Sequence, residues 1–113
     1  MPASTTVPSA HTEQDKQTLK STIIRWCFPR ALETRLSARV VVGRDEHCDV
    51  VLTGDEVSRR HAEFRIDGPI IAVRDLESRN GVHVNGTKAS DGPLATGDVV
   101  RCGEWVGLVA SIE

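Results

Sequence analysis

Apolar residues in this chain come in short runs, each cut off by Gly, Pro, Asp or Asn. The first substantial run, Thr22-Ile23-Ile24-Arg25-Trp26-Cys27-Phe28, is rich in β-branched and aromatic residues and stops at Pro29. Comparable runs at residues 38–42, 50–52, 62–66, 70–74, 82–84, 99–102 and 105–112 read as further strands. Several of them alternate with the period of two that a half-buried strand requires. Ala62, Phe64 and Ile66 share one face, and Glu63 and Arg65 the other. Val82-His83-Val84 repeats the pattern and places His83 outward if the valines point inward. Helical periodicity is scarce, and its best window, residues 29–36, equally suits a long loop or a single turn. Many short, closely spaced strands predict an all-β fold, a β-sandwich.

Residues 1–20 have a different texture, with Pro, Ser, Thr, Gln and charges around isolated apolar residues. Such a segment cannot bury enough surface to offset its ordering entropy. The expected organisation is a flexible amino-terminal tail over 1–20 and one folded domain over 21–113. Thr5, Thr6, Thr12 and Thr18 lie on that tail.

Composition narrows the functional classes. The formal net charge is −2, with charged residues at 27%. A generic nucleic-acid binder needs a basic field to release counterions from phosphates, so direct nucleic-acid binding is not expected. Positive potential must instead be local, and Arg44, Arg59, Arg60 and Arg79 are the place for it, hemmed by Asp45, Glu46, Asp55 and Glu56. Cys27, Cys48 and Cys102 form no CxxC pair, which argues against a metal centre or a disulfide framework. Cys27 and Cys102 sit in apolar runs and are expected to serve as small core hydrophobes. With aromatic residues at 4%, the core is expected to be mainly Val, Ile and Leu. Three thiols suit a reducing compartment, and no apolar run approaches a membrane span. The expected setting is cytoplasmic, without a membrane and without a cofactor.

The candidate chemistry lies where the chain should turn. Gly43-Arg44 follows the run at 40–42, so Arg44 would project from the end of a sheet; the plainer alternative is a surface ion pair with Asp45 or Glu46. In Ser58-Arg59-Arg60-His61, Ser58 offers one hydroxyl hydrogen and Arg59 five N–H donors in a fixed fork. With Arg44 they could surround a tetrahedral dianion. His61 opens a strand at the core boundary, where bracing the loop is the expected role. Ser78-Arg79-Asn80-Gly81 and Asn85-Gly86 are turn signals. Turn geometry suffices to explain Asn85. Asn80 lies beside Ser78 and Arg79, and its amide can donate and accept against a peptide backbone at once. Ser58, His61 and Asp75 also supply the residue types of a hydrolytic triad, but Ser58 lies in no G-x-S-x-G elbow, and no catalytic activity is expected.

The ordered set resembles the forkhead-associated (FHA) domain: Gly-Arg, Ser-Arg-x-His, Asp-x-x-Ser-x-Asn-Gly, Val-Asn-Gly, then Leu94, Gly97-Asp98 and Gly103. The likeness runs from about Ile24 to Ile112. It implies an eleven-stranded sandwich that binds phosphothreonine peptides through loops at one end. On this resemblance Arg44 and Ser58 would hold the phosphate, with Arg59 and Arg79 as further contacts, and Asn80 would bond the peptide backbone. Gly43, His61, Gly81, Asn85 and Gly86 would shape the loops. The resemblance implies a phosphothreonine-bearing partner and an upstream Ser/Thr kinase, either in bacterial kinase signalling or as the sensory piece of a transcription regulator. Another reading keeps the sandwich as a phosphate-independent interaction or structural module. Phosphorylated tail threonines could also serve as an intramolecular ligand. Asp55-Glu56 ahead of Ser58 disfavour acidic residues after the phosphothreonine.

Overall fold

The computed structural model describes residues 21–112. The tail over 1–20, including Thr5, Thr6, Thr12 and Thr18, lies outside the described residues, as does Glu113. Among the described residues eleven strands follow one another: β1 (Ser21–Phe28), β2 (Leu32–Arg35), β3 (Val40–Gly43), β4 (Val50–Val51), β5 (Ala62–Asp67), β6 (Ile70–Asp75), β7 (Val82–Val84), β8 (Thr87–Ala89), β9 (Asp91–Leu94), β10 (Val99–Cys102) and β11 (Trp105–Ile112). They build a five-stranded sheet ordered β9-β6-β5-β3-β4 and a six-stranded sheet ordered β2-β1-β11-β10-β7-β8. Among the described residues only β3–β4 pairs in parallel. The all-β sandwich expected from the alternation is the observed fold.

Each sheet turns one face inward. Ala62 and Phe64 of β5, Val73 of β6, Val82 of β7, Val100 and Cys102 of β10, and Trp105 and Val109 of β11 are buried in one cluster. Val, Ile and Leu make up most of the core, as expected, and three of the four aromatic side chains meet at its centre. Trp26 packs edge-on against Phe64 at 6.4 Å and against Trp105 at 5.9 Å between ring centroids. The three rings add a large apolar area at the centre of this mainly aliphatic core. Both indole N–H groups are satisfied, Trp26 donating to Thr34 Oγ1 at 3.0 Å and Trp105 to the Thr53 carbonyl at 2.7 Å.

Three strands differ from the sequence expectation. Residues 32–35, read as loop or turn, form β2, with Leu32 and Thr34 inward and Glu33 and Arg35 outward; Thr34 is buried because it receives the Trp26 indole. β8 and β9 carry no strong strand signal and pair only where neighbouring strands offer free backbone groups. Pro93 is tolerated in β9 because that strand lies at a sheet edge. Cys27 is exposed rather than a core residue, since Trp26 takes the inward position and the next residue must face out. Glu63 faces outward as expected yet is buried, covered by ion pairs with Arg39 and Arg65.

Candidate functional site

Backbone pairing of β3 with β5 does not end with the strands. The Val42 carbonyl accepts from His61 N at 2.9 Å, Arg44 N donates to the Ser58 carbonyl at 2.9 Å, and Asp45 N donates to the Arg59 carbonyl at 3.0 Å. This seam sets the loops bearing Arg44 and Ser58 side by side. Gly43 permits it, because a Cβ there would overlap the Arg59 carbonyl. Arg44 Nε donates to the Val57 carbonyl at 3.0 Å, which aims the guanidinium and, among the described residues, leaves its terminal nitrogens unspent. The alternative ion pair with Asp45 or Glu46 is not formed. Among the described residues no carboxylate lies within 4.0 Å of the Arg44, Arg59 or Arg79 guanidinium.

His61 joins this seam to a third loop. Wholly buried, it accepts the Ser58 N–H at Nδ1 (3.0 Å), and its Nε2 bonds the Gly81 carbonyl at 2.8 Å. A backbone N–H can only donate and a carbonyl only accept, so the hydrogen sits on Nε2. The 75–81 loop is further folded by Ser78 N to Asp75 Oδ1 at 3.0 Å and Gly81 N to Ser78 Oγ at 2.9 Å. Gly81 adopts φ +79°, and a Cβ there would meet the Lys88 stem. Asn80 does not occupy the left-handed region, so turn geometry does not account for its amide. Instead its Nδ2 donates to the Glu56 carbonyl at 2.9 Å, leaving one N–H and Oδ1 free. Ser58 Oγ accepts from Arg79 N at 2.9 Å, which leaves its own hydrogen to donate outward.

These groups open onto one cavity of about 260 Å³, lined by Arg44, Asp55, Glu56, Val57, Ser58, Arg59, Arg79 and Asn80. All five sequence-predicted contact residues meet there. Asp55 and Glu56 form its acidic rim. Nearby, Asp45 is held below the usual carboxylate range, first by the backbone N–H of His47 and also by the His47 ring and Arg59.

Some expected residues lie elsewhere. Arg60 lines other surface cavities. Asn85 (φ +53°) and Gly86 (φ +85°) make the two-residue β7–β8 hairpin turn, at the end of β7 opposite Gly81. Asn85 also ties that turn to the next loop, accepting from Val99 N at 2.9 Å and donating to Asp98 Oδ1 at 3.1 Å. They shape the far end rather than the cavity. Both His61 nitrogens are committed away from Ser58 Oγ, and Asp75 bonds Ser78 N instead of the imidazole, so the three do not form a triad. Sequence reasoning missed Glu104, whose carboxylate accepts from Glu56 N at 3.2 Å and supports the acidic rim. Among the described residues, no group of three His, Cys, Asp or Glu side chains could hold a metal ion, and no helix is long and apolar enough to cross a membrane.

Fold and site together define a binding module: a β-sandwich whose loops at one end bring a guanidinium, a hydroxyl and a carboxamide to one cavity. The FHA domain family matches residues 40–103, over half the chain, and the chain belongs to that family. Over 63 residues it is 43% identical to the glycogen accumulation regulator GarA of Mycolicibacterium smegmatis, covering 56% of this chain and 40% of that protein. Across the relatives compared, the match spans from 12% to 44% of their length. A structure from a study of phosphothreonine-dependent FHA domain interactions superposes with a TM-score of 0.75 at 32% identity, covering 80% of this chain and 95% of the other. The FhaA FHA domain complexed with the intracellular domain of Rv3910 gives 0.74 at 32% identity, covering 79% and 99%.

Proposed function

We propose that this domain binds phosphothreonine-containing segments of other proteins and so makes an interaction conditional on phosphorylation. The observation that carries the reading is the set of unspent hydrogen-bonding groups around one cavity: the Arg44 terminal nitrogens, the Ser58 hydroxyl hydrogen and the free half of the Asn80 amide. A phosphothreonine brings about −1.5 to −2 charges and three acceptor oxygens. Arg44 and Ser58 hold the phosphate, Arg59 and Arg79 add positive potential, and Asn80 bonds the peptide main chain. Structural relatives studied for phosphothreonine-dependent interactions support this role.

A Ser/Thr kinase upstream and a reducing, cytoplasmic setting go with it; all three cysteines are unpaired. GarA and the oxoglutarate dehydrogenase inhibitors are, by name, regulators, and we read this domain as one too. Thr5, Thr6, Thr12 and Thr18 would be internal ligands once phosphorylated. Phosphorylating the chain should then block external peptide unless those threonines are changed to alanine.

Isothermal titration with a phosphothreonine peptide and its unphosphorylated twin tests the main reading. Binding should require the phosphate. Each hydrogen bond to a charged group contributes about 1.5–3 kcal/mol, so Arg44→Ala should cost about 2–5 kcal/mol, roughly thirtyfold to several thousandfold in affinity. Equal affinity for the two peptides would reject the proposal.

A further inference from the structure

The cavity does not end at Asn80. We infer that a cationic track on the outer face of the six-stranded sheet, Lys88–His83–Arg101, holds an acidic flank of the same phosphorylated partner. The inference rests on the reading that phosphothreonine sits at Arg44, Ser58 and Asn80.

Register places the three residues in a row. His83 of β7 lies directly opposite Lys88 of β8 on one side and Arg101 of β10 on the other. Directly opposed residues share a face, about 5 Å apart. That face is the outer one, because Val82, Val100 and Cys102 of the same strands point into the core. Lys88 and Arg101 are exposed, and among the described residues neither has a carboxylate within 4.0 Å. Some other outer-face cations do have carboxylate partners, as in Arg25–Glu33 at 3.3 Å and Arg65–Asp91 at 3.4 Å. His83 adds to the case. Its Nδ1 is shielded from water with no partner among the described residues, and its ring lies between the two cations in the register.

The track is continuous with the site. The Lys88 stem lies against Gly81, where a Cβ would sit 2.9 Å from Lys88 Cε, and Gly81 directly follows Asn80. His83 is three residues from Asn80, about 10 Å at strand rise. Asp55 and Glu56 line the same cavity, where the Asn80 amide donates to the Glu56 carbonyl at 2.9 Å. The site thus presents acidic side chains on the cavity rim and cationic ones on the neighbouring strands. A bound segment that leaves the phosphothreonine past Asn80 reaches the track within about three to five extended residues. Aspartate, glutamate or a second phosphorylated residue at those positions supplies the matching charge.

The test uses phosphothreonine peptides carrying three aspartates at positions three to five on one flank or the other, each matched to an alanine version, plus one with phosphoserine in place of the aspartates. Aspartates on one flank only should tighten binding about three- to tenfold at low salt, a size that exposed ion pairs allow. The K88Q/R101Q variant should lose that gain while binding the alanine peptide within about twofold of wild type. A larger gain with phosphoserine would point to a second phosphate as the natural charge; equal gains would point to carboxylates. Either is consistent with the track. No gain on either flank, or a gain that survives in K88Q/R101Q, would overturn it. Those outcomes leave phosphate dependence of the alanine peptide intact, whereas loss of that dependence would mean the site itself has been misread.

Discussion

A single side chain can hold loops or hold ligand, and His61 and Ser58 separate the two roles although they are hydrogen-bonded neighbours. His61 touches no solvent and satisfies one donor and one acceptor on different loops. His61→Ala strands both groups, at about 1–3 kcal/mol each, and opens a cavity besides. Urea unfolding should show about 3–5 kcal/mol lost. Ser58→Ala removes only a partly exposed acceptor for Arg79 N, so its stability should fall by no more than about 1.5 kcal/mol. Its phosphopeptide affinity should still drop about tenfold or more, because the hydroxyl donor is gone. A His61→Ala protein as stable as wild type would dismiss the bracing role. Much of this was legible in the residues: a small donor, a guanidinium and an amide at turns announce anion recognition. The carbonyls of Val57 and Glu56 that aim Arg44 and Asn80 left no trace in sequence, since any residue supplies a carbonyl.

At the level of elements, the seam between β3 and β5 decides whether the cavity exists. It consists of three backbone hydrogen bonds and the close approach of Gly43 to Arg59. Gly43→Ala must push the 58–59 loop outward, because the obstructing atom is backbone carbonyl and not the end of a flexible side chain. The expected cost is about 2–4 kcal/mol in stability, together with weakened phosphopeptide binding. Amide hydrogen exchange gives the direct readout: Arg44 and Asp45 should lose protection while β10 and β11 keep theirs. Uniform loss along all strands would show that the seam is not a separate element. Period-two alternation made β5 and β7 readable, and β10 and β11 were readable as short apolar runs bounded by Gly and Asp. It failed for β2, where one inward position is Thr34, and for β8 and β9, which are specified by their partners more than by their own residues. Glu104 supports Glu56 across 48 positions of chain, a contact no local pattern announces.

For the molecule as a whole, the buried thiol of Cys102 makes stability sensitive to alkali. Burial pushes this thiol up to about 12 from an ordinary 9.0, with Asp75 adding to the shift and Arg101 opposing it. Below pH 9 the thiol is protonated in both folded and unfolded chains, so stability there does not depend on it. Between about 9 and 12 the unfolded chain releases a proton that the native core retains. Stability attributable to this residue then falls by about 1.4 kcal/mol per pH unit. Cys48, raised first by its own partial burial and then by Asp45, adds a contribution of the same sign. The informative quantity is the difference between wild type and Cys102→Ala, in which the titration of all other groups cancels. The variant should start lower by a roughly constant amount, because removing the sulfur leaves a small void. From pH 9 to 10.5 its stability should decline less steeply, and the two urea-unfolding curves should converge. Parallel curves across that interval would mean that the Cys102 thiolate is tolerated in the fold, and that the core around Cys102 is wetter than its packing implies.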